Sequence, residues 1–119
     1  MQEVYYEHSS SGGRKGNPSI PSSTYEALGY LFGARYNWQW PHDLRLYFDI
    51  GWGAQFESNR TRDLTSRVNS TPFCDLGTWV RVGQQDFSIS LRYLHISNAG
   101  FVKPNLGQNQ LFLQLGTRF

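Results

Sequence analysis

Apolar and polar positions alternate along most of the chain with a period of two residues. In residues 44–56 one face is apolar at every position, and the opposite face holds no aliphatic side chain. The apolar face consists of Leu44, Leu46, Phe48, Ile50, Trp52, Ala54 and Phe56. A helix would mix these two sets around its axis, whereas a strand separates them. The pattern therefore predicts a long β-strand with one apolar face.

The same alternation predicts five further strands, and no segment has helical periodicity. The predicted strands span residues 25–38, 74–83, 87–97 and 109–119, with a weaker one at residues 3–9. Their connections are short at one end and long at the other. The short ones are 39–43 and 83–86, and the long ones, rich in polar residues and Gly, are 9–24, 57–73 and 98–108. Long strands joined in this way are typical of outer-membrane barrels.

We therefore predict an all-β fold, an antiparallel transmembrane β-barrel, with residues 1–119 forming one domain. A soluble, lipocalin-like barrel with its apolar face inward is the alternative. Glycines gather on the polar face, where a narrow barrel favours small residues. Tyr36, Trp38 and Trp40 form an aromatic girdle at one strand end. The chain ends in Phe119, which resembles the terminal phenylalanine of bacterial outer-membrane barrels. These features favour the membrane.

Barrel termini lie in the periplasm, so the loop 98–108 is expected outside the cell, beside the lipid A leaflet of a Gram-negative bacterium. Six strands are visible, whereas barrels of this kind start at eight. We therefore expect that the chain is truncated at its N-terminus and that a signal peptide and two strands precede Met1. The other interpretation, an extra hairpin within the first 24 residues, fits their loop-like composition poorly.

Composition excludes several classes of partner and binding site. The net charge is +2 and the basic residues form no stripe, so nucleic acid is not expected as a partner. The single cysteine, Cys74, excludes an internal disulfide and a zinc site built on cysteines. No metal-ligand spacing occurs, and we expect neither a metal nor a cofactor.

Three polar residues interrupt an apolar face near the loop 98–108. His95 and Ser97 follow Phe87, Ile89, Leu91 and Tyr93 on one face, and Asn109 begins the next strand on that same face. Residues i and i+2 of a strand lie about 6.8 Å apart on one face. The pattern therefore predicts a nucleophile, Ser97, a base, His95, and an orienting group, Asn109. Asn98 and the Gly100 amide follow at once and are candidates for an oxyanion hole.

The segments RYLHISNAG and KPNLGQN closely resemble the lipid A 3-O-deacylase family of outer-membrane barrels, whose hallmark is H-x-S-N-A-G followed by a P-N-x-G turn. The resemblance extends more loosely through LYFDIGWGAQF to the terminal RF. It implies an eight-stranded barrel and a serine esterase that hydrolyses the ester at the 3 position of lipid A, releasing a 3-hydroxy fatty acid. Carried over, Ser97 is the nucleophile, His95 is the base, and Asn98 with Gly100 binds the oxyanion.

One position departs from the family pattern. The resemblance implies a glutamate as the acidic triad member, and this chain has Asn109 there. A neutral amide can orient an imidazole, although it stabilises imidazolium less than a carboxylate does. We expect a slower enzyme, and the alternative is a non-catalytic outer-membrane barrel with a structural or adhesive role.

Charged residues divide between the predicted loops and the predicted barrel interior. Arg60, Arg62 and Lys103 fall in extracellular loops and are candidates for contact with lipid A phosphates, although ordinary solvated loop charges would look the same. Arg14, Lys15 and Arg67 are expected in the same loops. The inward face holds Arg35, Arg45, Asp49, Arg81, Arg92 and Arg118, for which we predict a buried polar network. The expected partner is lipopolysaccharide, and homodimer formation stays open.

Overall fold

The computed structural model describes residues 1–11, 23–41, 44–61, 64–103 and 105–118, and these ranges contain strands, turns and loops without helix. The strands are β1 (Gln2–Ser11), β2 (Ser23–Gln39), β3 (Arg45–Glu57), β4 (Val68–Ser70), β5 (Phe73–Val82), β6 (Gln85–Ile96) and β7 (Gln108–Arg118). Across the described ranges no helix is long and apolar enough to span a membrane. The predicted all-β fold is confirmed.

The strands form one antiparallel sheet in the order β1-β2-β3-β5-β6-β7, in which neighbours in sequence are neighbours in space. The short strand β4 pairs with β3, beside β5, and its last residue, Ser70, forms an isolated bridge with Ser97. The sheet curls along an axis of 55 Å and measures 22 Å across. All six predicted strands are present, whereas β4 was not predicted because three residues in a polar loop carry no periodicity.

The two faces of the curled sheet differ as the alternation predicts. Large apolar side chains point outward along every long strand, for example Ile50 at 57% exposure and Leu113 at 73%. This arrangement is the opposite of a soluble barrel, in which the apolar face points inward. At the end of β2 the exposed rings of Tyr36 and Trp38 pack edge to face, with their centroids 4.4 Å apart. Phe119 lies outside the described residues.

The interior is held together by arginine–carboxylate pairs. The Arg35 guanidinium donates two hydrogen bonds to the Asp49 carboxylate, at 2.7 and 2.6 Å. Arg92 donates to Asp75 at 2.7 and 2.8 Å and to Glu3 at 2.6 and 2.7 Å. Each of these three arginine–carboxylate contacts is bidentate, which is the strongest geometry for such a pair. Arg92 thereby joins β1, β5 and β6 across the inside of the curl.

Closer to the β5–β6 turn, Arg45 donates to Asp86 at 2.8 and 2.7 Å. The predicted inward network is thus confirmed for Arg35, Asp49, Arg92 and Arg45. Arg81 differs, because 68% of its side chain is exposed while it contacts Asp86 at 3.3 Å. Arg81 lies at the end of the sheet, two residues before the turn at Gly83, and its exposure follows from that position. The side chain of Arg118 lies outside the described residues.

Inward-facing glycines make room for tyrosine rings. A side chain at Gly29 would meet the Tyr5 ring at 2.1 Å, and one at Gly77 would meet the Tyr47 ring at 2.3 Å. Each ring therefore lies flat over a neighbouring strand at a place where only glycine leaves space. This packing explains why the glycines of the sequence gather on the polar face.

Removal of Arg92 is expected to destabilise the interior strongly. In Arg92→Ala the buried Asp75, 2% exposed, is left as an unpaired charge. We expect the free energy of unfolding to fall by about 3–5 kcal/mol. The matched control is Arg81→Ala, which removes an exposed ion pair and is expected to change it by less than about 1 kcal/mol. Urea unfolding of the refolded barrel in detergent measures both, and similar losses in the two variants would contradict the expectation.

Candidate functional site

The register between β6 and β7 places two of the predicted site residues opposite each other. His95 pairs with Asn109 across the two strands, and both side chains project from the outward face. The His95 Nδ1 lies 2.6 Å from the Asn109 Oδ1. The Tyr93 hydroxyl donates to the same oxygen at 2.9 Å. Two polar groups of β6 therefore meet the Asn109 carbonyl oxygen on the outward face of the sheet.

On its other side, the end of β6 is held by the backbone of residues 70–72. The His95 N–H donates to the Pro72 carbonyl at 3.0 Å, and the Ser97 N–H donates to the Ser70 carbonyl at 3.0 Å. In return the Ser70 N–H donates to the Ser97 carbonyl at 2.7 Å. These bonds keep the chain extended through Ser97, one residue beyond the last pair with β7. His95 and Ser97 are consequently on one face, two residues apart.

The predicted nucleophile, Ser97, is half-buried, like the predicted base, His95. The backbone of Ser97 is bonded through both its N–H and its carbonyl, whereas its Oγ has no hydrogen-bond partner among the described residues. The Ser97–His95 hydrogen bond that activates a serine nucleophile is therefore not formed in this structure, and the role of Ser97 stays a prediction.

The chain turns sharply immediately after Ser97. Ala99 and Gly100 have φ angles of 53° and 84°, in the left-handed region. An alanine with positive φ is strained, and such strain persists only where the surroundings enforce it. The Asn98 Oδ1 accepts the Gly100 N–H at 2.9 Å, and the Asn98 amide donates to Thr65 Oγ1 at 3.1 Å and to the Val102 carbonyl at 2.8 Å. Asn98, which is 3% exposed, holds the turn in place.

These bonds bear on the predicted oxyanion hole. The Asn98 amide directs both of its protons into the loop, and the Gly100 N–H is bonded to Asn98 itself. Both groups thus lie next to Ser97, as expected from the sequence, and both are engaged within the loop. Their role as oxyanion donors stays a prediction.

The P-N-x-G turn closes the site from the other strand. The Asn105 Oδ1 accepts the backbone N–H of Asn98 at 3.2 Å. Gly107 has a φ of 67°, and a side chain there would meet the His95 Cε1 at 3.0 Å and the Ile96 carbonyl oxygen at 2.8 Å. Only glycine leaves the imidazole its position. The turn therefore connects the two halves of the motif around His95.

A groove of about 300 Å³ opens beside the site. Its lining is predominantly apolar and comes from β3, from β4 and from the turn that follows Ser97. The apolar residues of the lining are Trp52, Ala54, Val68, Ala99 and Phe101. The Trp52 indole N–H donates to the Ser70 Oγ at 2.7 Å. Since Ser70 pairs with Ser97, the groove wall and the predicted nucleophile are joined by hydrogen bonds.

The basic loop residues predicted to contact phosphates are exposed wherever the structure describes them. Arg60 and Lys103 are exposed in loops, and Arg62 lies outside the described residues together with Arg14 and Lys15. Arg67 is exposed and donates to the Glu57 carbonyl at 3.0 Å. In the described part of the chain, no three His, Cys, Asp or Glu side chains come together in a way that could hold a metal ion.

Several residues of the site were not singled out from the sequence. Asn105 and Gly107 belong to the quoted P-N-x-G segment, so their motif was the available signal. Tyr93 shares the outward face with His95, but period two alone does not show that its hydroxyl reaches the next strand. Ser70 and Pro72 come from a long polar loop, whose pairing with residues 95–97 no local pattern indicates.

Comparison with known proteins gives one family match, and this match covers nearly the whole chain. A family model described as lipid A 3-O-deacylase (PagL) matches residues 3–118. The match includes every described strand as well as the residues around His95 and Ser97. No curated protein matches the chain, and no solved structure does so.

Proposed function

The chain belongs to the lipid A 3-O-deacylase family, and from this membership we propose that Ser97, His95 and Asn109 perform the hydrolysis. The family consists of outer-membrane β-barrel enzymes that act on lipid A, and the curled sheet with its apolar outer face fits that class. One observation carries the assignment of residues. The imidazole of His95 is held 2.6 Å from the Asn109 oxygen on the lipid-facing surface, beside the unengaged Ser97 hydroxyl.

In the proposed reaction, the His95 Nδ1–H donates to the Asn109 Oδ1, which leaves the Nε2 lone pair free to accept the Ser97 proton. The Ser97 Oγ attacks the carbonyl carbon of the ester at the 3 position of lipid A. The tetrahedral intermediate collapses, and the protonated His95 gives its proton to the departing 3-hydroxyl oxygen of the sugar. Water then hydrolyses the acyl-serine with His95 again as base. The products are 3-O-deacylated lipid A and a 3-hydroxy fatty acid.

The negative charge of the intermediate falls beside the turn after Ser97. We assign Asn98 and Gly100 as its donors. An oxyanion would replace the Asn98 Oδ1 at the Gly100 N–H, because a charged acceptor forms a stronger hydrogen bond than an amide oxygen. The strained φ angles of Ala99 and Gly100 support this assignment, since strain of this kind gathers at functional sites.

We assign the apolar groove to the acyl chain of the scissile ester. It begins at Asn98 and Ala99, directly after the nucleophile, and its remaining walls are Trp52, Val68 and Phe101. An acyl chain whose carbonyl lies at Ser97 would thus continue over apolar side chains. Arg60, Arg62 and Lys103 are proposed to meet the phosphates of lipid A from the loops.

The competing function is a non-catalytic barrel with a structural or adhesive role. The observation that favours it is Asn109, an amide where the family resemblance implies a glutamate. An amide leaves the imidazolium without a negative partner, so loss of activity during evolution would be consistent with this residue. Measurement of the reaction distinguishes the two functions.

The first expectation concerns lipid A itself. In a Gram-negative host whose outer membrane holds the protein, lipid A is expected to lose the mass of one 3-hydroxyacyl chain. Ser97→Ala should leave lipid A unchanged, because the nucleophile is missing while the backbone bonds to Ser70 remain. Mass spectrometry of extracted lipid A measures both. Unchanged lipid A with the folded parent protein would favour the non-catalytic barrel.

The second expectation concerns the third residue of the triad. Asn109→Glu supplies a negative charge beside His95 and should preserve or raise the rate of deacylation, because a carboxylate stabilises the imidazolium better than an amide does. Rates are compared on purified lipid A in detergent. A large loss of activity in a variant that still folds would refute the role of Asn109.

The third expectation concerns the groove. Val68→Trp fills the apolar channel and should lower kcat/KM for long acyl chains by about tenfold or more, with a smaller loss for short chains, because misplaced reacting groups lose rate steeply. The control is Val80→Trp on the outward face of β5, since Val68 and Val80 are 53% and 45% exposed. Substrates of graded acyl length provide the comparison. Equal effects of the two substitutions, or no dependence on length, would argue against the assignment.

A further inference from the structure

The amide of Asn109 has two chemically different ends, and the one that faces His95 determines which imidazole nitrogen carries the proton. With the oxygen toward the Nδ1, the Nδ1 is protonated and the Nε2 is a free base. With the NH2 group toward the Nδ1, that nitrogen becomes an acceptor, and the proton moves to the Nε2. An imidazole in the second state cannot accept the Ser97 proton. A glutamate has no such ambiguity, because its two oxygens are equivalent.

We propose that Tyr93 is the positioning residue that holds the Asn109 oxygen toward His95; this inference rests on the proposed function of the site. Its hydroxyl donates to the Asn109 Oδ1 at 2.9 Å, next to the His95 Nδ1 at 2.6 Å. A carbonyl oxygen has two lone pairs, and here two donors occupy them. Tyr93 acts through Asn109 and touches no reacting atom.

The reversed amide is disfavoured by the bonds it would leave unmade. Toward an NH2 group the Tyr93 oxygen could only accept, and its own proton would lose its acceptor. Tyr93 stands two residues before His95 on the same outward face, at 43% exposure, and the apolar side chains around it include Leu91 and Leu111. On a surface that faces hydrocarbon, water does not replace a lost acceptor, so the unmade bond is costly.

Tyr93 is needed because residue 109 is an amide, so the effect of removing its hydroxyl should depend on the residue at position 109. When residue 109 is a carboxylate, either oxygen accepts the Nδ1–H and both rotamers support the base. Removal of the Tyr93 hydroxyl should therefore matter when Asn109 is present and be nearly without effect in the Asn109→Asp variant. A purely structural role for Tyr93, in packing or in strand pairing, would give the same loss in both backgrounds.

The test is a double-mutant cycle with Tyr93→Phe and Asn109→Asp, measured as kcat on lipid A in detergent. Tyr93→Phe is expected to lower kcat by about tenfold in the parent, the value of one hydrogen bond. In the Asn109→Asp background the same change should lower kcat by less than about twofold, because only the amide needs orientation. The control is Tyr30→Phe, an outward tyrosine of β2 with 44% exposure, which should leave kcat unchanged. Equal losses in both backgrounds, or no loss in the parent, would overturn the inference.

A second measurement separates this inference from the proposed function. Nitrogen-15 NMR of the histidine-labelled protein in detergent reports which ring nitrogen of His95 is protonated, and His95→Gln identifies its signals. The parent should show a protonated Nδ1, and Tyr93→Phe should show a growing share of protonated Nε2. An unchanged tautomer in Tyr93→Phe would overturn the inference. If the parent does not deacylate lipid A, the proposed function fails, and the tautomer still decides the role of Tyr93.

Discussion

The hydrogen-bonded register between β6 and β7 is the constraint on which the site depends. It sets His95 opposite Asn109, and a slip of β7 by one residue would turn Asn109 into the interior. The same slip would turn the apolar outward residues of β7, Leu111, Leu113 and Leu115, into the curl, so the register cannot slip without large cost. The same ladder continues on the other side of β6, where Ser70 and Pro72 bond the backbone of residues 95–97. The candidate site is thus built at the end of a hydrogen-bonded ladder, and the turns at Ala99, Gly100 and Gly107 depart from regular geometry.

The interior supports this register from within. Arg92 lies on β6, three residues before His95, and binds carboxylates of β5 and β1. Because residues of a strand alternate between faces, the ion pairs inside and the polar residues outside belong to one strand without competing for space. The exposed apolar face fits the outer-membrane barrels of the family, and His95 and Ser97 lie at the end of that face.

Much of the fold was predictable from the sequence because period two is a strong signal over ten or more residues. The six long strands, their outward faces and the inward arginines Arg35, Arg45 and Arg92 all follow from it. The proximity of His95 and Asn109 was predictable too, since one loop joins two antiparallel strands. Three features were not. β4 is too short to show periodicity, Arg81 is exposed because it lies near the end of its strand, and the bonds of Asn98 to Thr65 and Val102 join loops whose mutual position no local pattern encodes. The resting engagement of both predicted oxyanion donors belongs to this last class.

The amide at position 109 also has a rationale in the electrostatics of a membrane surface. A carboxylate there would carry its charge at an outward-facing position, where its desolvation opposes folding. Asn109 removes that charge. In the proposed reaction the cost moves to the imidazolium, which forms without a negative partner except the oxyanion that develops beside it, so the proposed donors at the turn after Ser97 bear more of the stabilisation of the transition state. Under this proposal a neutral residue at position 109 exchanges catalytic rate for stability of the resting barrel, and the Tyr93 hydroxyl is needed to orient it.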